Sequence, residues 1–177
     1  MAMCQTPDIV KADTTVNSSL WLNAAQQSVR SYCGWHIAPN LEQTITLDGD
    51  GTRTLLLPSL HVTGITSVLV EDKEIVDDID WSVKGIIQRR HGVFPEGLSS
   101  IKVKLKHGYD VEQVADVVSL ILRVAKRAAN GPGVIASQSA NGSTVSYLTA
   151  GGAPISVPLL QIEKDSLSPY KLTWGVS

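Results

Sequence analysis

The side chains able to do chemistry are spread along these 177 residues and do not gather at the spacings a reaction needs. Asp48-Gly49-Asp50-Gly51 opens like a calcium loop, but nothing follows at the spacing that would complete the coordination. Asp-Gly pairs also make tight hairpin turns, where positive φ angles are wanted, and the turn is the simpler reading. His36, His61, His91 and His107 fit no His-x-x-x-His or His-x-x-Glu-His pattern. Cys33 falls on the apolar side of a helical stripe, with no basic neighbour but Arg30, so it reads as core and not as a nucleophile. Asp77, Asp78 and Asp80 beside Trp81 read as a solvated turn before they read as metal ligands. There is no G-x-S-x-G elbow, and the glycines after residue 130 follow a helix instead of opening one, the wrong polarity for an anion site. No reaction class can be assembled, so the chain is expected to be no enzyme and to hold no metal or cofactor.

Lys102, Lys104 and Lys106 carry a different kind of signal. They alternate with Ile101, Val103 and Leu105, so a strand would bury three aliphatics and project three ammonium groups from one face, roughly 7 Å apart. Such a face could track a phosphate backbone or line a channel. It could equally keep an exposed strand from pairing edge to edge, or meet acidic residues of a neighbouring subunit.

The elements that must position these residues follow from periodicity. A first helix is predicted from Ser18 or Ser19, with Leu22, Ala25, Val29 and Cys33 as its buried stripe and Gly34 as its stop. Thr44–Leu47 and Thr54–Leu57 are expected to form a hairpin about Asp48–Gly51, and Ile65–Val70 with Glu74–Val76 a second. Trp81–Val83 and Gly85–Ile87 add short strands. A second helix follows a capping box of Asp110 and Gln113, with Val114, Val117, Val118, Ile121, Val124, Ala125 and Ala128 as its stripe. Residues 134–153 read as a long loop or hairpin arm. A short last helix within 156–168 should turn Leu159, Ile162, Ser166 and Leu167 inward. The expected fold is α+β: a small bundle of two principal helices and a short C-terminal one, an inserted, mostly antiparallel β-sheet, and extended terminal arms. The parts are an N-terminal arm (1–17), a core (18–130), a Gly/Ser-rich arm (131–155) and a C-terminal helix and tail (156–177).

Composition narrows the class. Lys and Arg number 15 against 17 Asp and Glu, which argues against a basic surface gripping nucleic acid non-specifically. No apolar run approaches the roughly 18 residues of a membrane helix, and the first residues lack the basic and apolar stretches of a signal peptide. Two cysteines, Cys4 and Cys33, make no disulfide framework. Charged residues are 18% of the chain, where about 25% is usual. The deficit is local: residues 14–41 hold only Arg30, residues 131–162 hold none, and 24 of 32 charges lie in 42–127. Interface cores are depleted in charge and rich in aromatics. The second stretch and the tail are therefore where subunit contacts are expected, with Tyr147, Leu159, Leu160, Tyr170, Leu172 and Trp174 as anchors. Removing residues 156–177 should then leave the fold intact.

In order along the chain, Trp21–Ala25, Val29–Pro39, Thr46–Gly49, Leu56–Leu60, Val62-Thr63, Asp80–Ser82 and His107–Asp110 resemble the head-to-tail adaptor proteins of long-tailed phages of actinobacteria. Glu163–Tyr170 is similar to the last helix of the wider connector family. The resemblance covers roughly residues 18–130; residues 1–17 and 131–155 take no part in it. It implies a structural ring, usually of twelve copies, beneath the portal at the capsid vertex. Such a ring extends the channel through which genomic double-stranded DNA passes without sequence-specific binding, and joins the portal to a stopper or tail completion protein. It also implies a place in the neck of the virion, after synthesis in the host cytoplasm, and no membrane partner. The alternatives are another neck or tail component, such as a stopper or tail terminator built mainly of sheet, and a small binding module or unrecognised enzyme with a deep pocket.

Overall fold

Two helices with complementary apolar stripes form one layer of the computed structural model, which describes residues 18–130, 137–140, 143–146, 149–150, 153–154 and 158–174. Helix α1 spans Ser18–Cys33 and buries Ala25, Val29 and Cys33, with Leu22 packed beside them. It stops at Gly34, whose φ of 81° is left-handed and whose N–H reaches the Arg30 carbonyl. Helix α2 spans Ala115–Asn130 after a single 3₁₀ turn at Val111–Val114. The Asp110–Gln113 capping box is present at that turn, so two otherwise unsatisfied donors are met before α2 begins. Val114, Val117, Leu120, Val124, Ala125 and Ala128 are buried; Val118 and Ile121 stay half-exposed.

Helix α3, Gln161–Leu167, runs into a 3₁₀ turn at Ser168–Tyr170. Its inward register differs from the expected one. Leu167 is buried and Leu159 packs on the core, but Ile162 is 72% exposed and Ser166 is exposed. The position between Leu159 and Leu167 belongs to Glu163, which is buried because Arg127 of α2 pairs with it. A polar residue at the inward position hides the true stripe.

The strands are β1 (Leu41–Gly49), β2 (Thr54–Leu56), β3 (Val62–Val70), β4 (Lys73–Glu74), β5 (Ile79–Ser82), β6 (Ile86–Arg89) and β7 (Gly97–His107). They form two antiparallel sheets, β1-β7-β3-β4 and β2-β6-β5, where a single inserted sheet was expected. Both contribute to one core, with Val68, Ile101, Val103 and Leu105 from the first sheet and Leu55 and Ile87 from the second. The expected hairpin of β1 with β2 does not form. β1 pairs with β7 and β2 with β6, because the segment between them is a crossing and not a reversal. There the Asp50 carboxylate accepts from the N–H and hydroxyl of Thr52, while Asp48 accepts from the N–H of Ser99. The β3–β4 hairpin does form, turning on Glu71 and Asp72, both at positive φ as a two-residue hairpin requires. After α2, short hairpins pair Ser137–Ala140 with Ser143–Ser146 and Thr149–Ala150 with Ala153–Pro154.

Candidate assembly surfaces

The helical layer and the sheet layer meet at a joint built from segments far apart in sequence. Trp35 Nε1 donates to the Tyr170 carbonyl at 2.7 Å and Trp174 Nε1 to the Leu57 carbonyl at 2.9 Å. The N–H groups of Tyr109, Gly108 and Leu172 donate to Ile37, His61 and Cys33 carbonyls, each at 2.8 Å. His61 stacks on Tyr109 with ring centroids 4.2 Å apart, and His36 meets His107 edge to face at 4.3 Å. Gly108 has a φ of 102°, and a Cβ there would lie 2.5 Å from His36 Nε2 and 2.6 Å from the Pro39 carbonyl oxygen. A side chain would drive the two layers apart. Ile37 holds a positive φ of 62°, unusual for a β-branched residue, and its buried side chain and the bond from Tyr109 keep it there.

The joint sets the chemistry of its ionisable groups. His36 Nε2 donates to the Pro39 carbonyl, and burial lowers its pKa against that bond. His107 is 2% exposed; its Nε2 faces Gln43 Oε1 and its Nδ1 has no partner among the described residues. Burial first, and then the neighbouring His36, push its pKa down to about 4, so the ring is neutral at pH 7. Burial pushes the Cys33 thiol up to about 11, opposed weakly by Lys171, which agrees with its reading as core. Burial and the bond to Asp116 raise the Tyr170 phenol to about 12.

The C-terminal residues expected as subunit anchors are largely engaged within their own chain. Leu172 is 3% exposed in the helical core. Tyr170 and Trp174 are half-buried and donate to Asp116 and Leu57, and Leu159 packs against the same core. Leu160 is half-exposed at the start of α3, and Tyr147 lies outside the described residues. The segment that looked uncommitted in sequence is clamped to the fold, because its aromatic N–H and O–H groups find acceptors in both layers.

Lys102, Lys104 and Lys106 do share the open face of the first sheet. β7 is an interior strand, flanked by β1 and β3, so these lysines do not guard an edge. Thr46 and Leu69 flank Lys102, Thr44 and Ser67 flank Lys104, and Glu42 and Gly64 flank Lys106. Lys102 pairs with Asp72 and Lys104 with Glu42, each at 3.2 Å between exposed partners. Pairs this wet add little stability and leave the face cationic. Asp78 and Asp80 belong to a second charged cluster that sequence reasoning left incomplete, because their partners sit at and just beyond the end of β6. Asp78 binds Arg89 and His91, which hold its carboxyl below the ordinary range, and Asp80 binds Arg90. Among the described residues, no three His, Cys, Asp or Glu side chains gather as a metal site would need.

One surface was missed altogether. Leu122 is 55% exposed on the outward side of α2, beside exposed Ala115 and half-exposed Val118, and Val111 is 46% exposed on the 3₁₀ turn that leads into the helix. Their spacing of four, three and four residues is legible in sequence, but it merges there with the inward stripe. No described helix is long and apolar enough to cross a membrane. No protein-family model matches the chain, and no curated protein is significantly similar to it in sequence.

Proposed function

We propose that the chain is a structural head-to-tail adaptor, one subunit of a ring below a phage portal that extends the DNA channel and joins capsid to tail. The observation that carries this reading is the joint. Segments that bear the resemblance lie far apart in sequence yet meet there: Val29–Pro39 bonds to His107–Asp110, and Val29–Pro39 and Leu56–Leu60 both bond to the C-terminal residues 170–174. A resemblance confined to unrelated surface loops would not do this. The shared residues are those that fix the angle between the helical layer and the sheets, which a ring subunit must hold constant from copy to copy.

In this reading the lysine face of β7 looks into the lumen. DNA must slide there, so contacts should be few and exchangeable, and carboxylates already opposite Lys102 and Lys104 moderate their grip. The direct test is electron microscopy of necks isolated from particles of the parent phage, with an antibody to this chain. A ring of copies beneath the portal is expected, and heads made without the chain should fail to join tails. Tailed, infectious particles formed in its absence would sink the proposal. In necks that form, changing the three lysines to Gln should flatten the salt dependence of DNA retention by up to about three units of log–log slope.

A further inference from the structure

We propose that the outward face of α2 is a self-complementary interface, on which two copies of this chain pair with their α2 helices antiparallel. This does not rest on the ring reading, because a two-fold pair is closed whereas a ring needs a head-to-tail contact.

Two rows along α2 and the 3₁₀ turn that leads into it argue for it. The apolar row Ala115, Val118, Leu122 follows the three-four spacing that lets one helix seat against another, with exposed Val111 on the 3₁₀ turn before it. A polar row lies along one flank: Glu112, Asp116, Ser119, Arg123, Lys126, all exposed. Ala115, Val118, Ser119, Leu122, Arg123 and Lys126 line one shallow surface depression, so the basic half of the polar row borders the apolar one. The charges of the polar row run acid, acid, neutral, base, base. Reversing the helix end for end turns that order into its complement.

Antiparallel pairing about Ser119 therefore sets Glu112 against Lys126 of the second copy and Asp116 against Arg123 of the second copy, each twice. Val118 packs on Leu122 of the second copy, and small Ala115 lets the backbones approach. The helix dipole accounts for acids before and in the first turn of α2 and bases late in it, but not for their lying on the flank of an exposed apolar row. A parallel arrangement would place like charges together, so the pattern selects one orientation. The pairing also opposes the two helix dipoles. A single helix pair is a small contact, at or below about 1,000 Å², so the dimer should be weak, with a dissociation constant of about 10–100 μM.

Sedimentation equilibrium of the full chain across that range tests the idea, with circular dichroism confirming that each variant is folded. A dimer is expected. Leu122→Asp, at an exposed position, should weaken it about tenfold or more, and Lys126→Glu should weaken it by a similar factor through repulsion from Glu112. Combining Glu112→Lys with Lys126→Glu restores opposite charges and should bring the constant back to within about threefold of the parent. A monomer at every concentration would overturn the proposal, as would a dimer indifferent to Leu122→Asp or a charge swap that fails to rescue. A larger ring unaffected by these changes would also overturn it, while leaving the adaptor reading standing.

Discussion

His107 shows how a single buried ring couples the two layers to pH. Its Nε2 faces the Gln43 carbonyl oxygen, so the proton sits on Nε2 and Nδ1 presents a bare lone pair, buried and without a partner among the described residues. Protonating Nδ1 would bury a charge and, secondarily, set it against His36 with no acceptor to receive it, hence a pKa of about 4 in place of 6.5. A histidine with a depressed folded-state pKa stays neutral in the fold while the unfolded chain takes up the proton. Its contribution is thus fully present above pH 6.5, falls as the pH drops, and levels off once the folded-state ring also protonates. The loss should reach about 3 kcal/mol by pH 4. Urea unfolding of wild type and His107→Gln between pH 7 and pH 4 measures it. Gln keeps the donor toward Gln43 and cannot ionise, so the variant should lose stability less steeply; the smaller share from His36, whose pKa is also lowered, remains. Parallel curves for the two proteins would contradict this account.

At the scale of elements, α3 is too short to stand alone, since seven residues barely exceed the nucleus that helix formation must first pay to build. It is held by a buried ion pair. Glu163 accepts from Arg127 Nη1 and Nη2 and from the N–H of Leu160, and Arg127 also donates to the Pro158 carbonyl. Burial alone would raise the Glu163 pKa; the bonds from Arg127 and Leu160 outweigh it and hold the carboxyl below its ordinary range. Arg127→Met should therefore cost about 3–5 kcal/mol by leaving that carboxylate unpaired, and adding Glu163→Leu should recover a large part. Denaturant midpoints of the single and double variants decide it; equal losses would mean that packing and not charge anchors α3. This ion pair also marks the limit of what the sequence discloses. α1, α2, the β3–β4 hairpin and the alternation of β7 are legible because local periodicity fixes which face is apolar. The partner of β1 is not, since alternation gives a strand its faces but not its neighbour, and β7 lies some fifty residues away. α3 was misread because its inward row contains a charge. The lysine face was legible from period two alone. The joint was not, because its members are ordinary residues until folding brings residues 35 and 170 together.

For the molecule as a whole, the question is whether residues 158–174 belong to the fold or to its partners. The aromatic residues Tyr170 and Trp174 and the apolar Leu159, Leu160 and Leu172 suggested partners. Their contacts assign them to the fold: Leu167 and Leu172 lie in the helical core, Leu172 bonds to the end of α1, and Trp174 reaches across to Leu57 beside the second sheet. Losing two buried leucines at about 3 kcal/mol each, together with the aromatic bonds, approaches the whole stability of a domain this size. The sheet core has no such dependence, since its buried residues all lie between Leu55 and Leu105. A chain ending at residue 157 should therefore lose protection across α1 and α2 while the amides of β3 and β7 stay slow to exchange. Hydrogen exchange read residue by residue separates this from the other outcome, native protection throughout, which would make the tail an appendage free to serve an interface. The cost follows from where the apolar surface goes. An apolar, aromatic surface needs a cover, and for residues 158–174 that cover is the chain itself.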